Sequence, residues 1–265
     1  MTRDGTMPGN RLSAEGLIPY ESLLQQFKAE PAGKLYCLHG SNSVFRLSLA
    51  AAAHAVLRGV PITLVDGTNR FDIYYLTEFA RRHHADPGKL LDTIFISRAF
   101  TCYQMEATMT HRVLKFVRRT QSPIVIVFGL LDTFYDEQAP LFEVQASMQR
   151  IIVSLGELKK ENISVLLASV DTKLASRGRN ALFPRLRSAM DRVFHVMEND
   201  QGIPRIAEIQ PHAQHAGMHA SAPIVYRGGR NGKNSADIHH GHPAGNGKLD
   251  KIPPWFEKGR SGCAG

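Results

Sequence analysis

The chain is 265 residues long, 43% apolar and 21% charged, which suits a folded core of one large domain or two small ones. No apolar run approaches the ~20 residues that cross a bilayer. The opening MTRDGTMPGNRLSAEG lacks the apolar stretch of a signal peptide, so membrane spans and secretion are not expected. A formal charge of +8 and a pI near 9.5 favour polyanionic partners such as nucleic acid, although flexible ends could carry much of that excess.

Residues 1–14 read as a flexible leader, 15–210 as a single folded core and 211–265 as a disordered basic tail rich in Gly, His and Lys. Strand-like runs follow in order: LYCL (35–38), ITLV (62–65), TIFIS (93–97), PIVIVF (123–128), SVLLAS (164–169), RVFHV (192–196) and IPRIAEI (203–209). Several are continuous apolar runs, as expected of strands buried on both faces of a parallel sheet. Helical patterns lie between them. Phe71, Tyr75 and Phe79 repeat at helical spacing, and Leu141, Val144, Met148, Ile151, Ile152, Leu155 and Leu158 mark one face of a helix over 141–161. The alternation predicts an α/β fold, a central and mostly parallel sheet flanked by helices. The tail reads as flexible apart from a short anchoring piece at PPWF. Cys37, Cys102 and Cys263 are scattered without C-x-x-C spacing, which points to a reducing cytoplasm and to neither a disulfide framework nor a zinc site.

Residues 40–48, GSNSVFRLS, follow KLYCLHG and open an alanine-rich stretch. Strand, glycine turn and helix are the setting of a P-loop, G-x-x-x-x-G-K-[ST]. Anchored on Gly40 and running through Ser41, Asn42, Ser43 and Val44, that frame puts Phe45, Arg46 and Leu47 at the glycine, lysine and Ser/Thr positions, with Ser48 one position late. A working P-loop wraps phosphates in backbone N–H groups, and its lysine and hydroxyl serve the terminal phosphates and Mg²⁺. Phe45 puts a ring where glycine lets the main chain approach phosphate. Leu47 offers no oxygen, and Arg46 keeps the charge on a longer, planar head. Such a turn taken alone favours an unrelated α/β domain.

Three further stretches change that balance: ITLVDGTNRF, FARRHHADPGKLLDTIFISRAFTCYQME, and PIVIVFGLLDTFYDE followed by SVLLASV. With KLYCLHGSNSVFRLS they resemble, in order and spacing, the ATPase core of the RecA/RadA recombinase superfamily over about residues 20–210, above all its archaeal and eukaryotic branch. ARRHHADPGKLLD–TIFISRAF is the most specific part, since no general α/β constraint demands it.

The resemblance implies a RecA-like P-loop NTPase fold whose chemistry is gone. Where the family has strand–Asp–x–Glu, this chain keeps Asp66 and puts Thr68 at the catalytic glutamate. Threonine cannot serve as the base, a role worth ~10²–10⁴-fold in rate. The Walker B strand ends in Phe128 and Gly129 instead of Asp, with Asp132 four residues later, and the polar sensor becomes Ser169-Val170. The expectation is a pseudo-ATPase with no catalytic residues and no cofactor, weak ATP binding at the helix N-terminus staying open.

In the family, the loops after the Walker B strand and the next strand contact single-stranded DNA. The first loop here carries Asp132, Asp136 and Glu137, which repel phosphate. The second carries Lys173, Arg177, Arg179, Arg185 and Arg187 around Phe183, cations and a ring that suit strand binding or, equally, a protein surface. The helical DNA-binding domain and the aromatic-x-x-Ala segment of many recombinases are not found in the leader, so filament assembly is not expected. The implied role is an inactive paralogue acting as an accessory in DNA recombination or repair, binding DNA, an active recombinase, or both. One alternative is a scaffold that partners an active ATPase and never touches DNA. The other is a residual ATPase drawing on Ser48, Asp66 or a neighbouring subunit. His212, His215, His219, His239, His240 and His242 read as part of a flexible tail, and no metal site is assigned.

Overall fold

The computed structural model describes residues 17–18, 32–135, 138–172, 176–211 and 256–258; the expected leader and most of the expected tail lie outside them. In chain order the strands are β1 (Leu17–Ile18), β2 (Leu35–Gly40), β3 (Ile62–Asp66), β4 (Ile94–Arg98), β5 (Ile124–Phe128), β6 (Ser164–Val170), β7 (Arg192–Glu198), β8 (Pro204–Ile209) and β9 (Phe256–Lys258). They form one sheet in the order β1-β8-β7-β2-β6-β5-β3-β4-β9. The six strands from β7 to β4 are parallel, whereas β8, β1 and β9 join antiparallel. The seven core strands start and stop within about two residues of the runs read from hydropathy. Their Val, Ile and Leu side chains have to be covered on both sides, because parallel crossovers lay helices over both faces.

The helices do that. Helices α1 (Ser43–Val56), α2 (Ile73–Arg82) and α3 (Pro87–Asp92) cover one face, over a core that includes Leu38, Phe45, Leu64, Phe128 and Phe194. On the other face lie α4 (Cys102–Ala107), a π turn at Thr108–Arg112, α5 (Val113–Thr120), α6 (Leu130–Phe134), α7 (Leu141–Lys160), α8 (Arg177–Asn180) and α9 (Leu182–Arg187). Short polar side chains set several helix starts: Asp72, Asp86 and Thr101 accept hydrogen bonds from the N–H groups of Tyr75, Gly88 and Gln104. Along α7 the expected stripe Val144, Met148, Ile151, Leu155 and Leu158 is buried, while Leu141 at its start is exposed. The π turn was not foreseen. Ser154 on α7 donates to the Met109 carbonyl within it at 2.7 Å.

Candidate functional site

In a parallel sheet the strand ends converge on one edge, and ligands bind where the crossovers part. Here β2 connects through α1 toward β3, while β6 connects through α8 and α9 to β7 on the opposite side of β2. The C-terminal ends of β2, β3, β5 and β6 therefore meet, and with them three of the four stretches singled out in the sequence, the third lying next to them on β4.

At the P-loop position β2 ends at Gly40 and α1 begins at Ser43, so Ser41 and Asn42 alone make the connection. Gly40 has φ +130°, and a Cβ there would lie 2.1 Å from the Val196 carbonyl oxygen, so this turn requires glycine. The Ser41 N–H is spent on that same carbonyl at 2.9 Å. The start of α1 is met by an anion from the chain itself, since Ser43 Oγ donates to Glu198 Oε1 at 2.5 Å. That hydroxyl, aided by the Ser43 backbone N–H, holds the Glu198 carboxyl below its usual range. A carboxylate is what a helix N-terminus attracts in place of a phosphate.

The substituted positions are absorbed into the core. Phe45 is 6% exposed and meets Phe128 edge-on, with ring centroids 5.3 Å apart. The Arg70 guanidinium lies 5.7 Å from the centre of the Phe45 ring. Val44 and Leu47 are buried, and Ser48 Oγ donates to the Val44 carbonyl at 2.8 Å. Arg46 points out over Tyr75, 5.3 Å from its ring centre. The fully buried Asp66 accepts from the backbone N–H groups of Thr68, Arg70 and Phe71 at 3.0–3.1 Å and so fastens the turn after β3. Ser48 and Asp66, the groups on which a residual ATPase would draw, are both committed to backbone.

A cleft of about 320 Å³ remains between Phe45, Thr68, Arg70, Asp132, Val170 and Thr172. Asp132 reaches it because α6 turns back over Gly129, whose missing Cβ would sit 2.0 Å from Thr68 Cγ2 and 3.1 Å from Asp132 Oδ2. Thr68 Oγ1 and Asp132 Oδ2 are buried with no hydrogen-bond partner among the described residues. Burial pushes the Asp132 carboxyl up, and the Arg70 charge offsets this only in part.

The basic loop is corrected by the structure. Arg179 is 4% exposed and donates to the carbonyl oxygens of Phe134 and Ala139, tying α8 to the segment after α6. Arg187 is 7% exposed and donates through Nε to the Pro211 carbonyl at 3.2 Å. Buried guanidiniums held by carbonyls cannot track phosphates, so both leave the expected DNA-contacting set. Phe183 is half-buried and packs on His39, ring centroids 4.6 Å apart, which takes it out of free base stacking. Arg177 and Arg185 are exposed, and Lys173 lies outside the described residues. Apolar spacing could not separate these arginines, because charge alone does not report which carbonyls a fold leaves unpaired. Glu198 escaped the sequence reading for a similar reason: it lies 155 residues from Ser43, and only the β2–β7 pairing joins them.

Comparison with family models and with curated proteins finds no match. Among the described residues no helix is long and apolar enough to cross a membrane.

Proposed function

We propose that this chain is a catalytically inactive relative of the RecA/RadA recombinases, an accessory factor in DNA recombination or repair that works by binding DNA, an active recombinase, or both. One observation carries the reading. The N-terminus of α1, where a triphosphate would dock, is met by the chain's own Glu198 carboxylate, and the Phe45–Phe128 pair fills the space behind it. Support also comes from the commitment of Asp66 and Ser48 to backbone groups, which leaves no metal-binding hydroxyl or free carboxylate at those positions.

A second reading, a scaffold for an active ATPase that makes no DNA contact, is favoured by the burial of Arg179 and Arg187. Exposed Tyr74, Phe100 and Phe142 suit a protein partner as well. Calorimetry with Mg-ATP and anisotropy of a single-stranded oligonucleotide across salt, on one preparation, separates the readings. The accessory role expects no nucleotide heat, and DNA affinity falling with salt by about 0.7 log units per log unit for each phosphate met by Arg177, Arg185 or the tail. No DNA affinity together with recovery of a RecA-fold partner selects the scaffold. Mg-dependent ATP turnover abolished by Arg46→Ala overturns both.

A further inference from the structure

On the face of the sheet opposite α1, three polar side chains far apart in sequence converge at the strand ends. Parallel pairing puts His39 of β2 directly beside His195 of β7, so both imidazoles stand on the same face. Their rings stack with centroids 4.8 Å apart and planes 19° from parallel. Asp171, the first residue past β6, is docked beside β2 by its N–H, which donates to the Gly40 carbonyl at 2.9 Å. Its carboxylate spans the two histidines: Oδ1 lies 2.8 Å from His39 Nδ1 and Oδ2 lies 3.4 Å from His195 Nε2.

We propose that His39, His195 and Asp171 bind one divalent cation of the zinc class, at the sheet edge where the loop after β6 departs. Two imidazoles and one carboxylate are the donor set of borderline first-row cations, whereas Ca²⁺ and Mg²⁺ ask for oxygen alone. The ligand atoms all lie within 4.8 Å of one another. Bonds of ~2.0–2.1 Å in a tetrahedron set ligand atoms ~3.3 Å apart; the 3.4 Å contact of Asp171 with His195 has that spacing, and the 2.8 Å hydrogen bond of Asp171 with His39 has to open by about half an ångström. The side chains of Asp171 and His195 are 52% and 32% exposed, which leaves them free to rotate the remaining distance, while His39, at 8%, is the fixed anchor.

Further features of the patch agree. His39 Nε2 and Ser169 Oγ, neighbours across the β2–β6 register, are buried with no partner among the described residues. An unpartnered buried polar atom is costly, and Ser169 Oγ points to an occupant that the polypeptide does not supply, while His39 would ligate through Nδ1, the nitrogen beside Asp171. Three protein ligands leave a fourth position for water. A cation here would pin the base of the 171–187 loop to β2 and β7.

The test uses the full-length chain stripped with EDTA and titrated with Zn²⁺ by calorimetry and with Co²⁺ by absorption, beside His195→Ala and Asp171→Asn. The wild type is expected to take up one equivalent more than either variant, or to bind that equivalent more than about 100-fold tighter, the loss of a ligand outweighing the loss of its outer-shell support. Zn²⁺ should raise the melting midpoint of the wild type and leave both variants unmoved. Subtraction removes whatever the histidines of 212–242 contribute. Equal uptake and equal melting shifts in all three chains, or no uptake by the wild type, overturn the proposal. Should His195→Ala fail to fold, the half-exposed Asp171→Asn carries the comparison.

Discussion

At the scale of single residues, charge and chemistry part company. Arg179 and Arg177 are two positions apart on one short helix, yet one is buried on carbonyls and the other faces water. Arg179→Ala should cost about 3 kcal/mol in urea unfolding, since it strands two buried carbonyls that now accept from a charged donor. Arg177→Ala and Arg185→Ala should stay within about 0.5 kcal/mol and lower only the salt slope of any DNA binding. A salt slope that responds to Arg179→Ala while stability does not would refute this division. Asp132 offers a pH test. Burial raises its folded pKa above the unfolded value of about 3.9. Its contribution to stability is therefore intact below that unfolded value and declines as pH rises through the folded one. Asp132→Asn removes the decline: the variant should be more stable than the wild type at pH 7 and show a flatter profile between pH 4 and 7. Thermal melts across that range suffice, and a less stable variant at pH 7 counts against the assignment.

At the scale of elements, hydropathy located the seven core strands and the long α7, because continuous apolar runs and a helical stripe are local signals. The strand, glycine turn and helix over residues 35–56 were legible too, but what Phe45, Arg46 and Leu47 do in the fold was not. Phe45 reads in sequence as an obstruction to nucleotide; in the fold it is a packing element that joins α1 to the end of β5. Phe45→Ala should accordingly destabilise the protein by about 3 kcal/mol. It should also leave Mg-ATP calorimetry flat, because the Glu198 carboxylate still meets the helix start. Nucleotide heat appearing in that variant would mean that the ring, and not the carboxylate, is what closes the site. The π turn at Thr108–Arg112 had no local signature, and the Ser154 hydroxyl that accommodates it comes from another helix.

At the scale of the whole molecule, one sheet divides the chain into two chemistries at its C-terminal edge. On the α1 face Glu198 meets the start of the helix and Phe45 packs on Phe128. On the other face two histidines and an aspartate stand clustered beside unpartnered polar atoms. The antiparallel strands β1, β8 and β9 lie at the two margins of the sheet and leave the parallel centre, where both sites sit, undisturbed. Phe256–Lys258 pairs with β4 immediately after the PPW segment, so that part of the chain is joined to the sheet.

The amino-acid sequence by itself determined the α/β class and the strand positions, because each is written in neighbouring residues. Only the tertiary structure decided which arginines are buried, which anion meets α1 and which histidines share a face. Those outcomes depend on strand order and register, which bring residues more than a hundred positions apart within hydrogen-bond reach, and no local pattern encodes such a pairing.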